Sequence, residues 1–254
     1  MRTGAARGLA QVGLHPNTLT VLGMFLTIGA GVALASGRQA WHTWTVGLLF
    51  AAGACDLLDG TIAKVASLET RFGGILDSVC DRVSDAALYI GAAMYFILRP
   101  DDDSASPPNL TMALLALAGL VWAYQTSYIK VRAETAGARG HGGFWQRPER
   151  IVTFLLGAAC LHLTTVVWIL GVWPLATVAH RLWRARRTAA MADAGAPAED
   201  DLQPRGAAAL LLWRWKRGGV PFDIHAGVVI LMLIFWDAPA PDLVRRLAAW
   251  WVGA

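Results

Sequence analysis

The chain has 254 residues, of which 56% are hydrophobic and only 16% are charged, and its mean hydropathy is +0.45. This composition excludes an ordinary soluble globular protein and predicts a polytopic membrane protein. The net charge of +4 does not indicate nucleic-acid binding, because the basic residues gather in short loops between apolar runs and do not alternate with exposed aromatic residues.

The apolar runs predict an all-α integral membrane protein with six core transmembrane helices, an N-terminal interfacial helix and a C-terminal helical extension. Pro16 marks the start of the first span, with Asn17 or Thr18 as its cap. The interfacial helix is expected at residues 1–13. The six spans are expected at residues 18–36, 41–63, 72–98, 109–131, 151–171 and 172–183.

Composition changes after the sixth predicted span, where Ala, Asp, Glu, Pro and Gly become frequent. We therefore expect a membrane domain at 1–187, a polar linker at 188–208 and an extension at 209–254. Within the extension, an apolar run at 219–236 and an amphipathic run at 242–252 fit either a seventh span or a pair of interfacial helices. The sequence assigns the extension no function.

Basic residues fall at the N-terminus, in the loops after the second and fourth spans, and at the end of the sixth span. The loops after the first and third spans are poor in them. By the positive-inside rule, this distribution predicts a cell-membrane protein with its N-terminus in the cytoplasm. Surrounding membrane lipids are its expected partners.

Four aspartates flank the predicted loop between the second and third spans. Asp56 and Asp59 are spaced i,i+3, and Asp77 and Asp81 are spaced i,i+4, so each pair shares one helix face. Carboxylates in apolar sequence mark a functional site, and two such faces turned together form a set of hard oxygen ligands. The spacing therefore predicts a site for Mg²⁺ or Mn²⁺ at the cytoplasmic end of the membrane.

This segment resembles the signature of the CDP-alcohol phosphotransferase family, D-x2-D-G-x2-A-R-x8-G-x3-D-x3-D, with every gap at the family length. One position departs from the signature, because Lys64 stands where the family has arginine. Lysine keeps the positive charge but lacks the planar, bidentate guanidinium of arginine. The matching residues are Asp56, Asp59, Gly60, Ala63, Gly73, Asp77 and Asp81.

The resemblance implies that the protein transfers a phosphatidyl group from CDP-diacylglycerol to a polar alcohol, releases CMP and uses two Mg²⁺ or Mn²⁺ ions. It also implies that Asp56 and Asp77 bridge both ions, that Asp59 binds one, and that Asp81 binds the other and is the catalytic base. Many relatives are homodimers, so a homodimer is expected.

The residues expected to contact the donor lie at the start of the first span and around the aspartates. Glycines at two of these positions would let the donor approach the backbone, although close helix packing also explains them. A helix cap explains Asn17 equally well. The expected donor contacts are Asn17, Thr18, Leu19, Thr20, Gly60, Lys64, Thr70 and Gly73.

Two further segments, Ser127–Glu134 and Gly142–Arg150, resemble the actinobacterial phosphatidylinositol phosphate synthases within this family. In those enzymes a basic pocket binds the phosphate of inositol 1-phosphate, which arginine side chains suit. Glycerol 3-phosphate is also anionic, so a phosphatidylglycerophosphate synthase remains an alternative. The residues expected to bind the acceptor are Lys130, Arg132, Arg147, Arg150 and Arg184, with Arg181 as an alternative to the last.

Two alternatives lie outside phosphatidyl transfer. An ion-binding membrane transporter would spread its carboxylates over several spans and show internal repeats, neither of which the sequence has. A catalytically weakened homologue acting as a scaffold is supported only by Lys64. The histidines at 162 and 180 lie within or at the ends of spans and are expected to hydrogen-bond neighbouring helices.

Overall fold

The computed structural model describes residues 15–37, 40–65, 67–98, 108–138, 142–195 and 220–236. Every regular element in these ranges is an α-helix, which confirms the predicted all-α class. The predicted interfacial helix at 1–13 and amphipathic run at 242–252 lie outside the described residues. The helices are α1 (Pro16–Ser36), α2 (Trp41–Val65), α3 (Arg71–Leu98), α4 (Leu110–Thr135), α5 (Arg147–Ala159), α6 (Leu163–Val172), α7 (Pro174–Asp193) and α8 (Val220–Phe235).

The chain divides into two compact units, Met1–Ala113 and Leu114–Ala254. Unit 1 contains α1 to α3, and unit 2 contains most of α4 together with α5 to α8.

The first helix begins as its proline predicts but with a different cap. Pro16 occupies the first helical position, where a missing backbone N–H costs nothing. The cap is His15, whose Nδ1 accepts a hydrogen bond of 3.2 Å from the backbone N–H of Asn17. The expectation that Asn17 or Thr18 caps the helix is wrong, because the proline at position 16 places the cap one residue before itself.

Helices α1 and α3 cross in backbone contact at Gly31 and Gly91. A Cβ on Gly91 would lie 3.0 Å from the Cα of Gly31, and one on Gly31 would lie 2.7 Å from the carbonyl carbon of Ala87. Neither position has room for a side chain, which is how small residues bring helices together in membranes. This crossing fixes the start of α1, which forms one wall of the site, relative to α3.

Helix α2 also packs against α1. Leu19, Cys55 and Ile62 form a buried cluster between the two helices. The aspartates at 56 and 59 therefore lie on a helix segment that is held against the N-terminal turns of α1.

The apolar stretch after Arg150 folds differently from the prediction. Helix α5 ends at Ala159, and Leu161 adopts a left-handed backbone conformation with φ of 62°. The N–H of His162 closes this turn by donating to the carbonyl of Gly157 at 2.9 Å. The prediction of one unbroken helix over 151–171 is wrong, because neither glycine nor proline marks this break in the sequence.

Helices α6 and α7 are separated only by Trp173 and together form a helical stretch of 31 residues, Leu163–Asp193, that is apolar in part. The predicted boundary between the fifth and sixth spans, at residues 171 and 172, agrees with the end of α6 at Val172. The predicted end at 183 is wrong, because α7 continues to Asp193 and so includes residues 188–193, which were expected to begin the linker.

Among the residues that the structure describes, four helical stretches are long and apolar enough to cross a membrane, by length and composition: Pro16–Ser36, Trp41–Val65, Leu110–Thr135 and Leu163–Asp193. Helix α3 has 28 residues but carries several charged side chains in its first half. The count of six spans stays a prediction.

Candidate active site

A cleft of about 440 Å³ opens in unit 1 where the start of α1, the end of α2 and the start of α3 meet. The loop that joins α2 to α3 forms its fourth side. The lining residues are Pro16, Asn17, Thr20, Asp56, Asp59, Gly60, Ala63, Leu68, Glu69, Thr70, Gly73, Gly74 and Asp77.

Three of the four predicted metal ligands come together in this cleft. One carboxylate oxygen from each of Asp56, Asp59 and Asp77 lies within 4.8 Å of the others. Asp56 is exposed, whereas Asp59 is 8% exposed. The i,i+3 spacing on α2 places the first two on one helix face, and the start of α3 brings the third opposite them.

The carboxylate of Asp59 is held in place by two donors. The hydroxyl of Thr20 donates to its Oδ2 at 2.6 Å, and the backbone N–H of Gly60 donates to its Oδ1 at 2.5 Å. Thr20 was expected to contact the donor substrate. In the structure Thr20 lines the cleft, but its hydroxyl is bonded to Asp59 and orients that carboxylate. This hydrogen bond links α1 to α2 at the site.

The three carboxylates fit a divalent cation of the Mg²⁺ or Mn²⁺ type. Both ions prefer carboxylate oxygen ligands, and the three negative charges at such short range repel one another unless a cation lies among them. A ligand whose second oxygen is hydrogen-bonded to a neighbouring side chain is also typical of metal sites, where such partners orient the ligand.

Asp81 lies one turn further along α3 and does not belong to this trio within the described part of the chain. Its carboxylate lies 3.7 Å from the guanidinium of Arg82. The side chain of Asp81 is mostly buried, with 18% of its surface exposed.

The two signature glycines have different surroundings. A Cβ on Gly60 would meet no described atom within 4 Å, so nothing in the packing of the chain requires glycine there. A Cβ on Gly73 would lie 3.0 Å from the Thr70 hydroxyl and 3.2 Å from Asn17 Oδ1. The Thr70 hydroxyl also accepts a hydrogen bond of 2.9 Å from the N–H of Gly73. Gly60 thus opens onto free space in the cleft, whereas Gly73 allows close packing.

The remaining predicted donor contacts lie elsewhere. Leu19 is buried in the core between α1 and α2, Thr18 is exposed, and Lys64 is exposed near the end of α2. None of the three lines the cleft. Sequence reasoning did not assign Glu69 to the site, although the loop that carries it forms one side of the cleft. A lone exposed acidic residue in a loop gives no signal for such a role.

Unit 2 contains the predicted acceptor residues, which divide into exposed and buried members. Lys130 and Arg132 are exposed on α4, and Arg147 is half-buried at the start of α5. Arg150 is 2% exposed and Arg184 is 5% exposed. Burying an arginine is expensive without compensating groups, so the buried pair indicates either structural bonding or an anionic ligand.

Arg181 and His180 join this buried group. Arg181 is 5% exposed; its Nε donates to the Gly142 carbonyl at 2.8 Å, and its Nη1 donates to the Thr126 carbonyl. This arginine therefore ties α4 to the segment that precedes α5. A Cβ on Gly142 would lie 3.3 Å from the His180 ring and 3.7 Å from Nη1 of Arg184.

His180 is 2% exposed, and its Nδ1 has no hydrogen-bond partner in the part of the chain that the structure describes. The expectation that it hydrogen-bonds a neighbouring helix is therefore not met at that atom. His162 does meet it, because its Nδ1 lies 2.8 Å from the carbonyl oxygen of Leu233 on α8.

A family model described as CDP-alcohol phosphatidyltransferase matches residues 13–180 of the chain. The phosphatidylinositol phosphate synthase of Mycobacterium tuberculosis H37Rv is 37% identical over 186 residues, which cover 68% of this chain and 78% of that relative. The enzyme of the same description from Streptomyces avermitilis is 33% identical over 220 residues, covering 81% of this chain and 86% of the relative.

Solved structures of the Mycobacterium tuberculosis enzyme are similar in fold. The one with CDP-DAG bound matches with a TM-score of 0.65 and 30% identity, covering 81% of this chain and 99% of that one. The one in complex with manganese and citrate matches with a TM-score of 0.65 and 29% identity, covering 85% and 100% of the two chains.

Proposed function

The chain belongs to the CDP-alcohol phosphatidyltransferase family, and we propose that it transfers the phosphatidyl group of CDP-diacylglycerol to inositol 1-phosphate with release of CMP. Membership makes it a transferase of phospholipid biosynthesis and a multi-pass membrane protein, and it sets aside the alternative of an ion-binding transporter. The observation that carries the proposal is the trio of signature carboxylates gathered at one cleft.

The metal assignment extends the observed trio. We propose that Asp56 and Asp77 each bind two divalent cations, that Asp59 binds one of them, and that Asp81 binds the other. When bound, the cations supply positive charge to the phosphate oxygens of the donor and to the attacking oxygen. Thr20 and the N–H of Gly60 hold Asp59 in one orientation.

The chain's own groups position the donor and move one proton. The open space beside Gly60 admits the pyrophosphate or nucleotide close to the backbone of α2. The acceptor hydroxyl oxygen forms a bond to the phosphorus that bears diacylglycerol, and the bond from that phosphorus to the CMP oxygen breaks. Asp81 takes the hydroxyl proton as the new bond forms and later releases it to solvent.

The acceptor assignment rests on the buried arginines of unit 2. Arg150, Arg181 and Arg184 are buried, while Glu134 and Glu149 are the acidic groups whose charges act on Arg181. Three arginines against two carboxylates leave net positive charge, which suits a phosphate monoester bound through guanidinium forks. The relatives described as phosphatidylinositol phosphate synthases, and the relative's structure with CDP-DAG bound, favour an inositol phosphate acceptor and this donor.

We also propose that residues 1–187 form the enzyme's membrane domain with six spans, and that the cleft faces the cytoplasm, where the donor's nucleotide and a soluble acceptor are available. A homodimer is proposed from the family resemblance. Light scattering of the protein in detergent tests the dimer, and labelling of a cysteine introduced at Glu69 in sealed vesicles tests the side of the membrane.

The test of the proposed function is CMP release by purified protein in detergent with CDP-diacylglycerol and Mn²⁺ or Mg²⁺. Inositol 1-phosphate, inositol and glycerol 3-phosphate are supplied separately. We expect release with inositol 1-phosphate and little with inositol. Release with glycerol 3-phosphate alone would instead support the phosphatidylglycerophosphate synthase. No release with any acceptor from folded protein would support the scaffold alternative.

Two matched pairs of variants connect the activity to the site. Asp56→Asn should abolish release, whereas Asp193→Asn, at the exposed end of α7, should not change it. Arg184→Lys should raise the KM for inositol 1-phosphate, because lysine lacks the bidentate fork. Arg186→Lys is its control, since that exposed residue lies on the same helix.

A further inference from the structure

Helix α8 (Val220–Phe235) lies beyond residues 13–180 that match the family model, and no sequence pattern assigns it a function. The described part of this helix has 16 residues, against the roughly 20 that a membrane span needs. Near both of its ends, α8 contacts other parts of unit 2. The contact near its start is with Phe144 and Trp145, which directly precede the segment that contains Arg147 and Arg150.

Near its start, α8 inserts His225 among three aromatic rings. The ring centroid of His225 lies 4.2 Å from that of Phe144, 5.4 Å from that of Trp173 and 6.0 Å from that of Trp145. Phe144 and Trp145 also pack edge to face with centroids 5.0 Å apart, and they are 5% and 2% exposed. The three rings and His225 form an aromatic cluster, in which each ring limits the movement of the others.

Near its end, α8 is held by two hydrogen bonds from the start of α6. The ring of His162 donates from Nδ1 to the carbonyl of Leu233 at 2.8 Å, and the hydroxyl of Thr165 donates to the carbonyl of Trp236 at 2.6 Å. The last carbonyls of a helix lack partners within the helix, so these bonds satisfy groups that need them. Leu233 is fully buried at the same place.

The aromatic cluster is bonded directly to one of the buried arginines. The carbonyl of Trp145 accepts a hydrogen bond of 3.2 Å from Nη1 of Arg150, and the N–H of Trp145 donates to the Thr177 hydroxyl at 3.4 Å. Gly142 and Gly143, which directly precede Phe144 and Trp145, both have positive φ angles. Two consecutive glycines give the segment at 142–145 little intrinsic rigidity. Its position therefore depends on the side chains that pack against it.

We propose that α8 is a positioning element for acceptor binding: His225 fixes the Phe144–Trp145 pair, and Trp145 fixes the guanidinium of Arg150. This inference rests on the proposed function, since it takes Arg150 as a ligand of the acceptor phosphate. It makes the C-terminal extension part of the enzyme and His225 a positioning residue that does not itself touch substrate.

The test uses the full-length protein with His225→Ala and the kinetic constants for each substrate separately. Losing the ring contacts should raise the KM for inositol 1-phosphate by about fivefold while kcat and the KM for CDP-diacylglycerol change by less than about twofold. His225→Phe keeps a ring in the cluster and should restore most of the acceptor affinity. Ile224→Ala is the matched control, because Ile224 is the residue next to His225 and its side chain is 62% exposed.

Hydrogen exchange of the backbone amides in residues 142–150 gives a readout that does not depend on activity. Exchange there should become faster in His225→Ala and remain unchanged in Ile224→Ala. Should His225→Ala fail to fold, Thr165→Val removes the hydrogen bond to Trp236 and should move exchange and acceptor KM in the same direction.

An unchanged acceptor KM and unchanged exchange in folded His225→Ala would overturn the positioning role. A lowered melting temperature with an unchanged KM would overturn it too, because α8 would then serve only stability. If the wild-type protein instead uses glycerol 3-phosphate, the inositol assignment fails by itself. The KM for glycerol 3-phosphate then takes the place of the acceptor KM, and its rise in His225→Ala still supports the positioning role.

Discussion

Replacing Gly60 with alanine should make the protein more stable and less active. Gly60 lies inside α2, and a Cβ there would meet no described atom within 4 Å. Glycine inside a helix costs stability relative to alanine because the unfolded chain loses more conformational freedom on folding. If packing alone mattered, the substitution would be favourable. The added methyl group would, however, project into the cleft beside Asp59.

The stability gain should be about 0.5–1 kcal/mol, which corresponds to a rise in melting temperature of about 1–4 °C for a chain of this size. The loss of activity should be larger. A misplacement of about 1 Å between reacting groups costs on the order of 100-fold in rate, so we expect kcat/KM for CDP-diacylglycerol to fall by about 10- to 100-fold. A rise in stability together with a loss of activity would show that glycine at position 60 is needed for ligand binding and not for folding.

The assay combines a thermal melt in detergent with CMP release at several concentrations of CDP-diacylglycerol. Gly53→Ala is the matched control, since Gly53 also lies inside α2 and does not line the cleft, and a Cβ there would meet no described atom within 4 Å. It should gain similar stability and keep full activity. A Gly60→Ala protein with unchanged kcat/KM would refute the idea that the donor approaches the backbone there.

Three further predictions follow from the packing of unit 1. Thr20→Val removes the hydroxyl that donates a hydrogen bond to Asp59 and should weaken Mn²⁺ binding by about 10- to 100-fold. A Mn²⁺ titration of activity that matches wild type would contradict this. Thr20→Ser keeps the hydroxyl and should behave as wild type. Lys64→Arg should preserve or raise CMP release, and a large loss would show that the site has adapted to lysine. Gly91→Val forces a side chain into the backbone of Gly31 and should destabilise the fold by about 1–3 kcal/mol or more, seen as a lower melting temperature; an unchanged melt would mean that α1 and α3 do not touch there.

The sequence predicted four gathered carboxylates, of which the structure brings three together. The placement of Asp56 and Asp59 on one face was predictable because helix geometry is local. Residues at i and i+3 on an α-helix share a face whatever the rest of the fold does, so the pair on α2 could be read from spacing alone. The same rule places Asp81 on the face of Asp77 but one turn further along. At 1.5 Å of rise per residue, four residues amount to about 6 Å, which takes its carboxylate away from the other three.

Other features of the site depend on residues that are distant in the chain. The hydrogen bond from Thr20 to Asp59 joins residues 39 positions apart, and spacing gives no indication of it. The break between α5 and α6 was missed because Leu161, an apolar residue without a turn preference, takes the left-handed conformation that usually marks glycine. The contacts of α8 were missed for a similar reason, since ring packing between distant segments has no pattern in sequence.

The crowding of three carboxylates within 4.8 Å also concerns the stability of the whole protein. Like charges at this range oppose the folded state, and the unfolded chain escapes that repulsion by moving them apart. A cation that binds the assembled trio and not the unfolded chain stabilises the fold by about 4 kcal/mol when its concentration is a thousand times its dissociation constant. The supply of divalent metal to the cell would then control how much of this enzyme survives in the membrane, as well as how fast each molecule works.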